Sequence, residues 1–404
     1  MVFKCNLFYF IVVIGLPLVS NIFFDTNYDI NEIKLSDLDS EAFLDSFEAL
    51  TKHGYTPEKH VVTTEDGYVL THFRIPRKGP PVLLVHGITD SSDEWLVLGP
   101  NRSLSYQLAD AGFDVWLFNS RGNRYSKEHI EQNIPKEKYW DFSLDEMGIR
   151  DLPPTIDYIL NVTPYKKMFY IGFSQGTTIF HIMCSTIPNY NNKIKYAVLL
   201  APVAWVSNIK IPLISVFSNN IQFISSLTVD SGLYDLLPFS SDKVYSRLNC
   251  YKRLSKQLCD LEAFLYFGLK NANYLPEDRA AVISSHSPAG LNAKIIIQYL
   301  QWHKSKRVQR FDHGETKNLE MYSTKDPPLY NISLTTTPVT IIASEIDWFG
   351  DIDDVKMLRQ NLPNVRNFIM YNNSLEFSHL EFVYGSRVNS LVNRPILKIL
   401  LKER

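Results

Sequence analysis

The chain is 404 residues long, 45% hydrophobic and 21% charged, a profile that suits one large α/β domain carrying an insertion. Its 41 basic and 43 acidic residues leave a formal net charge of −2. That balance excludes the basic footprint of a nucleic-acid binder, and no polybasic run marks the chain for anionic membranes. There is no internal repeat and no low-complexity segment.

Residues 1–20 read as a secretory signal. Lys4 supplies the positive start, Leu7-Phe8-Tyr9-Phe10-Ile11-Val12-Val13-Ile14 the apolar centre, and Ser20 a small residue at the cleavage point. The apolar run is too short for a stable membrane span. Export agrees with four N-x-S/T triplets, at Asn101, Asn161, Asn331 and Asn372, each an acceptor for an N-linked glycan. An oxidising compartment favours a disulfide between Cys250 and Cys259 across a short loop, which leaves Cys184 as a buried thiol.

In chain order, Phe43, Phe47 and Leu50 at helical spacing predict a leading helix within residues 25–53. Residues 60–64 and 68–75 flank Glu65-Asp66-Gly67 as a hairpin. Pro81-Val82-Leu83-Leu84-Val85 is continuously apolar, as a strand covered on both faces should be, and it runs into His86-Gly87-Ile88. A helix over 104–111 and a strand over 113–118 follow. The amphipathic stretch 144–160 predicts a helix interrupted at Pro153-Pro154.

The organising stretch comes next. Met168-Phe169-Tyr170-Ile171 has the aromatic and β-branched residues of a buried strand, and Thr177-Thr178-Ile179-Phe180 opens a helix. Between them lies Gly172-Phe173-Ser174-Gln175-Gly176. A G-x-S-x-G sequence at a strand-to-helix junction is the context a nucleophile elbow requires. The turn strains the serine backbone, glycines let the two elements pass, and the helix N-terminus favours developing negative charge.

A further strand covers 196–200. From 203 to 309 there are helical stretches and loops without a clear core strand. Strand rhythm returns at 339–343 and 367–371, with a helix at 355–362 between them. Strand–helix alternation on both sides of a helical insert predicts an α/β-hydrolase fold: a mostly parallel sheet, flanking helices and a helical cap or lid insertion. The expected division is a signal at 1–20, hydrolase core at 21–202 and 310–404, and cap and lid at 203–309.

A serine at ordinary pKa needs a base, and the base an orienting acid. On this fold the partners come in the order serine, acid, histidine, each on a loop after a strand. Ser344-Glu345-Ile346-Asp347 follows the strand at 339–343, and Ser378-His379 follows the one at 367–371. The candidates are therefore Asp347 and His379, with Glu345, Asp351, Asp353 and Asp354 as competing acids. The loop after the strand at 81–85 is where one oxyanion N–H is expected, and His86 shapes that loop rather than acting as base.

The sequence resembles the animal acid lipases, the gastric, lysosomal and insect enzymes, from about Tyr55 to the C-terminus. The likeness lies in Val62-Thr63-Thr64-Glu65-Asp66-Gly67-Tyr68, His86-Gly87-Ile88-Thr89-Asp90-Ser91-Ser92, Asn119-Ser120-Arg121-Gly122-Asn123, Trp140-Asp141-Phe142-Ser143-Leu144-Asp145-Glu146-Met147-Gly148, the elbow, Leu200-Ala201-Pro202-Val203-Ala204 and Ser287-Pro288-Ala289-Gly290. The resemblance implies Ser174 as nucleophile, Asp347 and His379 as acid and base, and the N–H groups of Ile88 and Gln175 as oxyanion donors. It also implies a cap disulfide between Cys250 and Cys259. The chain departs from the family at Ala343-Ser344-Glu345-Ile346, where the family is glycine-rich, and in an added segment at Leu375-Glu376-Phe377.

The expected function is hydrolysis of carboxylic esters of neutral lipids, triglycerides or cholesteryl esters, through an acyl-enzyme, in a secreted or lysosomal protein. No cofactor and no metal are implied. The expected partner is a lipid droplet or emulsion surface, met by a monomer or weak homodimer with no membrane span and no nucleic acid. The alternatives are a non-catalytic lipid-binding or yolk-type protein on the same fold and a short-chain carboxylesterase.

Overall fold

The apolar runs of the sequence become the strands of one sheet. The structure, a computed structural model, describes residues 40–211, 214–239 and 275–404. The predicted signal at 1–20, Cys250 and Cys259 lie outside the described residues. In chain order the strands are β1 (Glu58–Thr63), β2 (Tyr68–Ile75), β3 (Pro81–Val85), β4 (Asp114–Leu117), β5 (Glu128–His129), β6 (Met168–Phe173), β7 (Ile194–Leu200), β8 (Val339–Ser344) and β9 (Val365–Tyr371). They lie in the order β1-β2-β4-β3-β6-β7-β8-β9, with β5 paired to β2. The β1–β2 hairpin and the β2–β4 pair are antiparallel, and every pair from β4 to β9 is parallel.

Every residue of β3, β6 and β8 is buried, because helices cover both faces and leave no solvated side for an alternating pattern. The chain runs from β3 outward to β4 and then back across to β6 on the other side of β3. The order reverses between β3 and β6, and open α/β sheets bind ligands beyond the carboxyl ends of strands at such a reversal. The two stretches singled out in the sequence, His86-Gly87-Ile88 and the elbow, leave from those two ends.

The helices used below are α1 (Ser46–Lys52), α2 (Leu104–Asp110), α3 (Leu152–Val162), α4 (Gln175–Thr186), α5 (Ile214–Asn219), α6 (Ile221–Leu227), α7 (Ala293–Ser305), α8 (Ile352–Asn361) and α9 (Arg394–Glu403); two more cover Ala280–His286 and Glu315–Tyr322, with short 3-10 and single-turn pieces between. Two predicted helices need correction. Among the described residues the leading helix begins at Ser46, because Asp45 caps it with a capping box to Glu48. Of the three residues used to predict it, only Leu50 is buried; Phe43 and Phe47 are both exposed.

The prolines at 153–154 do not interrupt the second helix. They occupy the first turn of α3, where a missing N–H costs little, and a wide π-turn at Met147–Asp151 precedes them.

Between β7 and β8 the described residues form helices and loops without a strand. This stretch is tied to the rest by buried polar bonds. The Gln298 amide of α7 donates to Asp145 Oδ1 at 2.7 Å, and its carbonyl accepts from Leu144 N at 2.9 Å. Asn292 donates to the carbonyls of Trp140 and Phe142. Buried groups satisfied in this way fix the stretch on the sheet, since leaving any of them unpaired would cost about 1–3 kcal/mol.

Candidate active site

The elbow takes its shape from close approach. Ser174 sits between β6 and α4 at φ 51°, ψ −115°, a left-handed conformation costing on the order of 1–3 kcal/mol that only surrounding structure can hold. A methyl on Gly176 would lie 2.4 Å from the Val85 carbonyl oxygen, and one on Gly172 would lie 2.8 Å from Gly176. Both contacts are with backbone, so nothing larger than glycine fits and the motif is sterically explained. Thr177 pins the turn: its N–H and hydroxyl both donate to the Ser174 carbonyl, and its hydroxyl oxygen accepts from Val203 N.

At this turn three of the predicted residues meet. His379 Nε2 lies 2.9 Å from Ser174 Oγ, and its Nδ1 lies 2.7 Å from Asp347 Oδ2. All three are buried. A carboxylate can only accept, so the ring carries its proton on Nδ1 and presents a lone pair at Nε2 to the serine hydroxyl. Asp347 Oδ1 accepts from Phe349 N at 2.8 Å and Gly350 N at 3.0 Å, which fixes the carboxylate. The rings of Phe173 and Phe349 pack against the imidazole at 5.0 and 4.8 Å and hold its plane.

Each competing acid has a structural partner elsewhere. Glu345 accepts from Asn373 N, Asp351 caps α8, Asp353 pairs with Lys356, and Asp354 accepts from Asn208. The added segment at 375–377 is anchored by its last residue: Glu376 is exposed, but Phe377 is fully buried between the rings of Tyr371 and Phe382.

Ile88 and Gln175 line one cleft at the ends of β3 and β6. No hydrogen bond among the described residues takes up the Ile88 N–H. The Gln175 N–H belongs to the first turn of α4, where a helix offers no acceptor. The peptide that carries the Ile88 N–H is held by His86, whose Nδ1 donates to the Gly87 carbonyl at 2.7 Å. His86 Nε2 accepts from Ser120 N at 3.2 Å, which settles the tautomer. Burial pushes His86 down to about 4, so the ring is neutral at physiological pH and acts as a fixed dipole.

The sequence motif at 119–123 carried a role that spacing alone did not disclose. Arg121 is fully buried, with its guanidinium on Asp66 of the β1–β2 turn and on Asp151 at the start of α3. It braces the loop behind the cleft. The signal was present as an arginine between serine and glycine after a buried strand, but its two acids lie 55 and 30 residues away. The four sequon asparagines Asn101, Asn161, Asn331 and Asn372 are all exposed. Cys184 is a free buried thiol on α4, and burial raises its pKa.

Comparison with known proteins agrees with this geometry. A family model described as the alpha/beta hydrolase fold matches residues 80–383, and one described as a partial alpha/beta-hydrolase lipase region matches residues 47–99. The chain is 37% identical to Lipase 1 of Drosophila melanogaster, over 87% of this chain and 79% of that one. It is 35% identical to human lysosomal acid lipase/cholesteryl ester hydrolase, over 87% of this chain and 89% of that one. Among solved structures, an epoxide hydrolase from Vigna radiata superposes with a TM-score of 0.50 at 13% identity, over 86% of this chain and 98% of that one, a likeness of fold alone. The chain belongs to the animal acid lipase family, which includes gastric, lysosomal and insect lipases, on the α/β-hydrolase fold.

Proposed function

We propose that the protein hydrolyses carboxylic ester bonds of neutral lipids, triglycerides or cholesteryl esters, through an acyl-enzyme at Ser174. The observation that carries this is the hydrogen-bonded chain Asp347–His379–Ser174 in one buried site. His379 Nε2 takes the serine proton as Oγ attacks the ester carbonyl, while the N–H groups of Ile88 and Gln175 receive the oxyanion. Each such donor is worth about 3 kcal/mol in the transition state. Collapse expels the alcohol, protonated by His379; water then attacks the acyl-serine with His379 again as base, and the fatty acid leaves.

The protein is secreted or lysosomal, as its gastric and lysosomal relatives are. None of the described helices is long and apolar enough to cross a membrane, and the protein meets a droplet or emulsion surface as a monomer or weak homodimer. The stretch 203–309 acts as the cap, with its Cys250–Cys259 disulfide, and part of 207–229 acts as a lid. Two observations support the lid. Ser174 is only 3% exposed, so substrate access needs movement, and α5 and α6 present Val216 and Phe223 to solvent at 45% and 43%.

Hydrolysis of triolein, cholesteryl oleate and a short nitrophenyl ester across a pH series tests the reading, with Ser174→Ala as control. Loss of nearly all turnover in the folded variant is the expected result. Turnover by Ser174→Ala, or wild-type protein that binds lipid without hydrolysing it, refutes it.

A further inference from the structure

Behind the Gly87–Ile88 peptide lies a buried carboxyl that the mechanism leaves unused. Glu94, on the single turn Ser92–Trp95, is 2% exposed, and its Oε2 accepts from the Gly87 N–H at 2.9 Å. Its Oε1 is buried without a hydrogen-bond partner. Asp90, four residues earlier, accepts from the Tyr384 hydroxyl, from Ser287 Oγ at 3.1 Å and from Ser91 N at 3.0 Å. Neither carboxyl has a basic partner among the described residues.

The surrounding charged and titratable groups are otherwise engaged. Asp93 on the same turn pairs with Arg124 and accepts from Tyr125. Glu381, on the turn after His379, pairs with Arg387. Arg102, which shares a cleft with Glu94, is forked onto Asp278. His286 is bonded to the carbonyls of Val282 and Leu44. His86 is held by Gly87 and Ser120, and Tyr384 faces Asp90 through its hydroxyl.

We propose that Glu94 is a positioning residue for ester hydrolysis: its carboxyl anchors the Gly87 N–H and so fixes where the next N–H, that of Ile88, points. The anchor works from the side opposite His86, which holds the Gly87 carbonyl. Together they fix the main chain on both sides of Gly87. This inference rests on the reading of Ile88 as an oxyanion donor.

The chemistry of the pair makes this corner of the fold sensitive to pH. Burial, with Asp90 beside it, raises Glu94 well above its ordinary value, and burial pushes Asp90 up to about 7. A carboxyl raised in the folded state stabilises the fold below its unfolded value, and that contribution is lost as pH rises through the folded value. The Gly87 N–H bond itself favours the ionised form, so the anchor holds across the range; what is lost at neutral pH and above is stability, because no cation compensates the buried charge.

The experiment compares wild type, Glu94→Gln and Glu94→Ala on a short soluble nitrophenyl ester from pH 4 to 9, with kcat and KM separated and melting temperature read at each pH. Glutamine keeps the acceptor for Gly87 N–H but cannot ionise. It should retain most of the kcat that alanine loses, and hold its melting temperature above neutrality, where that of wild type falls. Alanine should lower kcat at every pH by up to about 10²-fold with KM little changed. A Glu94→Gln melting profile that superimposes on wild type at every pH, a Glu94→Gln kcat as low as that of Glu94→Ala, or wild-type kcat in Glu94→Ala, overturns the proposal. Wild-type protein without esterase activity overturns the Ser174 reading and this proposal with it, so the two failures are distinct.

Discussion

Replacing Asp347 by Asn exchanges one carboxylate oxygen for an NH2 group and separates the acid of the site from its neighbours. Asp347 accepts three hydrogen bonds, one at Oδ2 from His379 and two at Oδ1 from Phe349 N and Gly350 N. An asparagine amide must turn its NH2 to one side or the other. Turned toward Phe349 and Gly350, it meets two backbone donors and loses two bonds of about 1 kcal/mol each. Turned toward His379, it loses none if the ring moves its proton from Nδ1 to Nε2.

The second arrangement is favoured, and it is inactive, because a protonated Nε2 cannot accept the Ser174 proton. The expected loss is about 10⁴-fold in kcat, or about 5.5 kcal/mol of transition-state stabilisation, with the fold retained. Asp351→Asn is the control. Asparagine still caps α8, and removing the charge of buried Asp351 leaves its partner Lys210 half-exposed and solvated, so turnover should stay near wild type. Nitrophenolate release from a soluble ester, read beside thermal unfolding, checks both. A crippled Asp351→Asn with an active Asp347→Asn would refute the reasoning.

Phe217→Ser and Phe223→Ser should reduce hydrolysis of emulsified triolein while sparing a soluble short-chain ester, since each side chain seated on lipid contributes about 1.5–3 kcal/mol. Equal loss on both substrates with a lower melting temperature would show that they only hold the helices together. Non-reducing peptide mapping should join Cys250 to Cys259 and find Cys184 free; a disulfide to Cys184 refutes this. The same map, before and after enzymatic deglycosylation, should place glycans on Asn101, Asn161, Asn331 and Asn372, and unmodified peptides at these sites would refute that assignment.

How much of this was legible in the chain varies by residue. Gly172-Phe173-Ser174-Gln175-Gly176 announces its own structure, because the glycines answer a steric demand made within five residues. The order of Asp347 and His379 after two apolar strands was readable too, since a parallel sheet delivers every post-strand loop to the same edge. The helix boundaries were less so. Asp45 and Asp351 set the starts of α1 and α8 through capping, while apolar spacing alone placed them too early and too late.

By itself, then, the sequence determined the sheet, the elbow and the order of the acid and base, because buried strands, tight turns and chain order are local properties. Its place straight after a strand singled out Asp347 among five crowded acids, but the tertiary structure alone set the partners that separate them, His379 for Asp347 and other groups for Glu345, Asp351, Asp353 and Asp354. It alone brought Arg121 onto Asp66 and Asp151, and Glu94 onto the Gly87 N–H beside Asp90 and Tyr384. The Arg121 and Tyr384 contacts join residues that are tens to hundreds apart. A buried charge or carboxyl takes its meaning from what encloses it, and periodicity and motif carry no record of that enclosure.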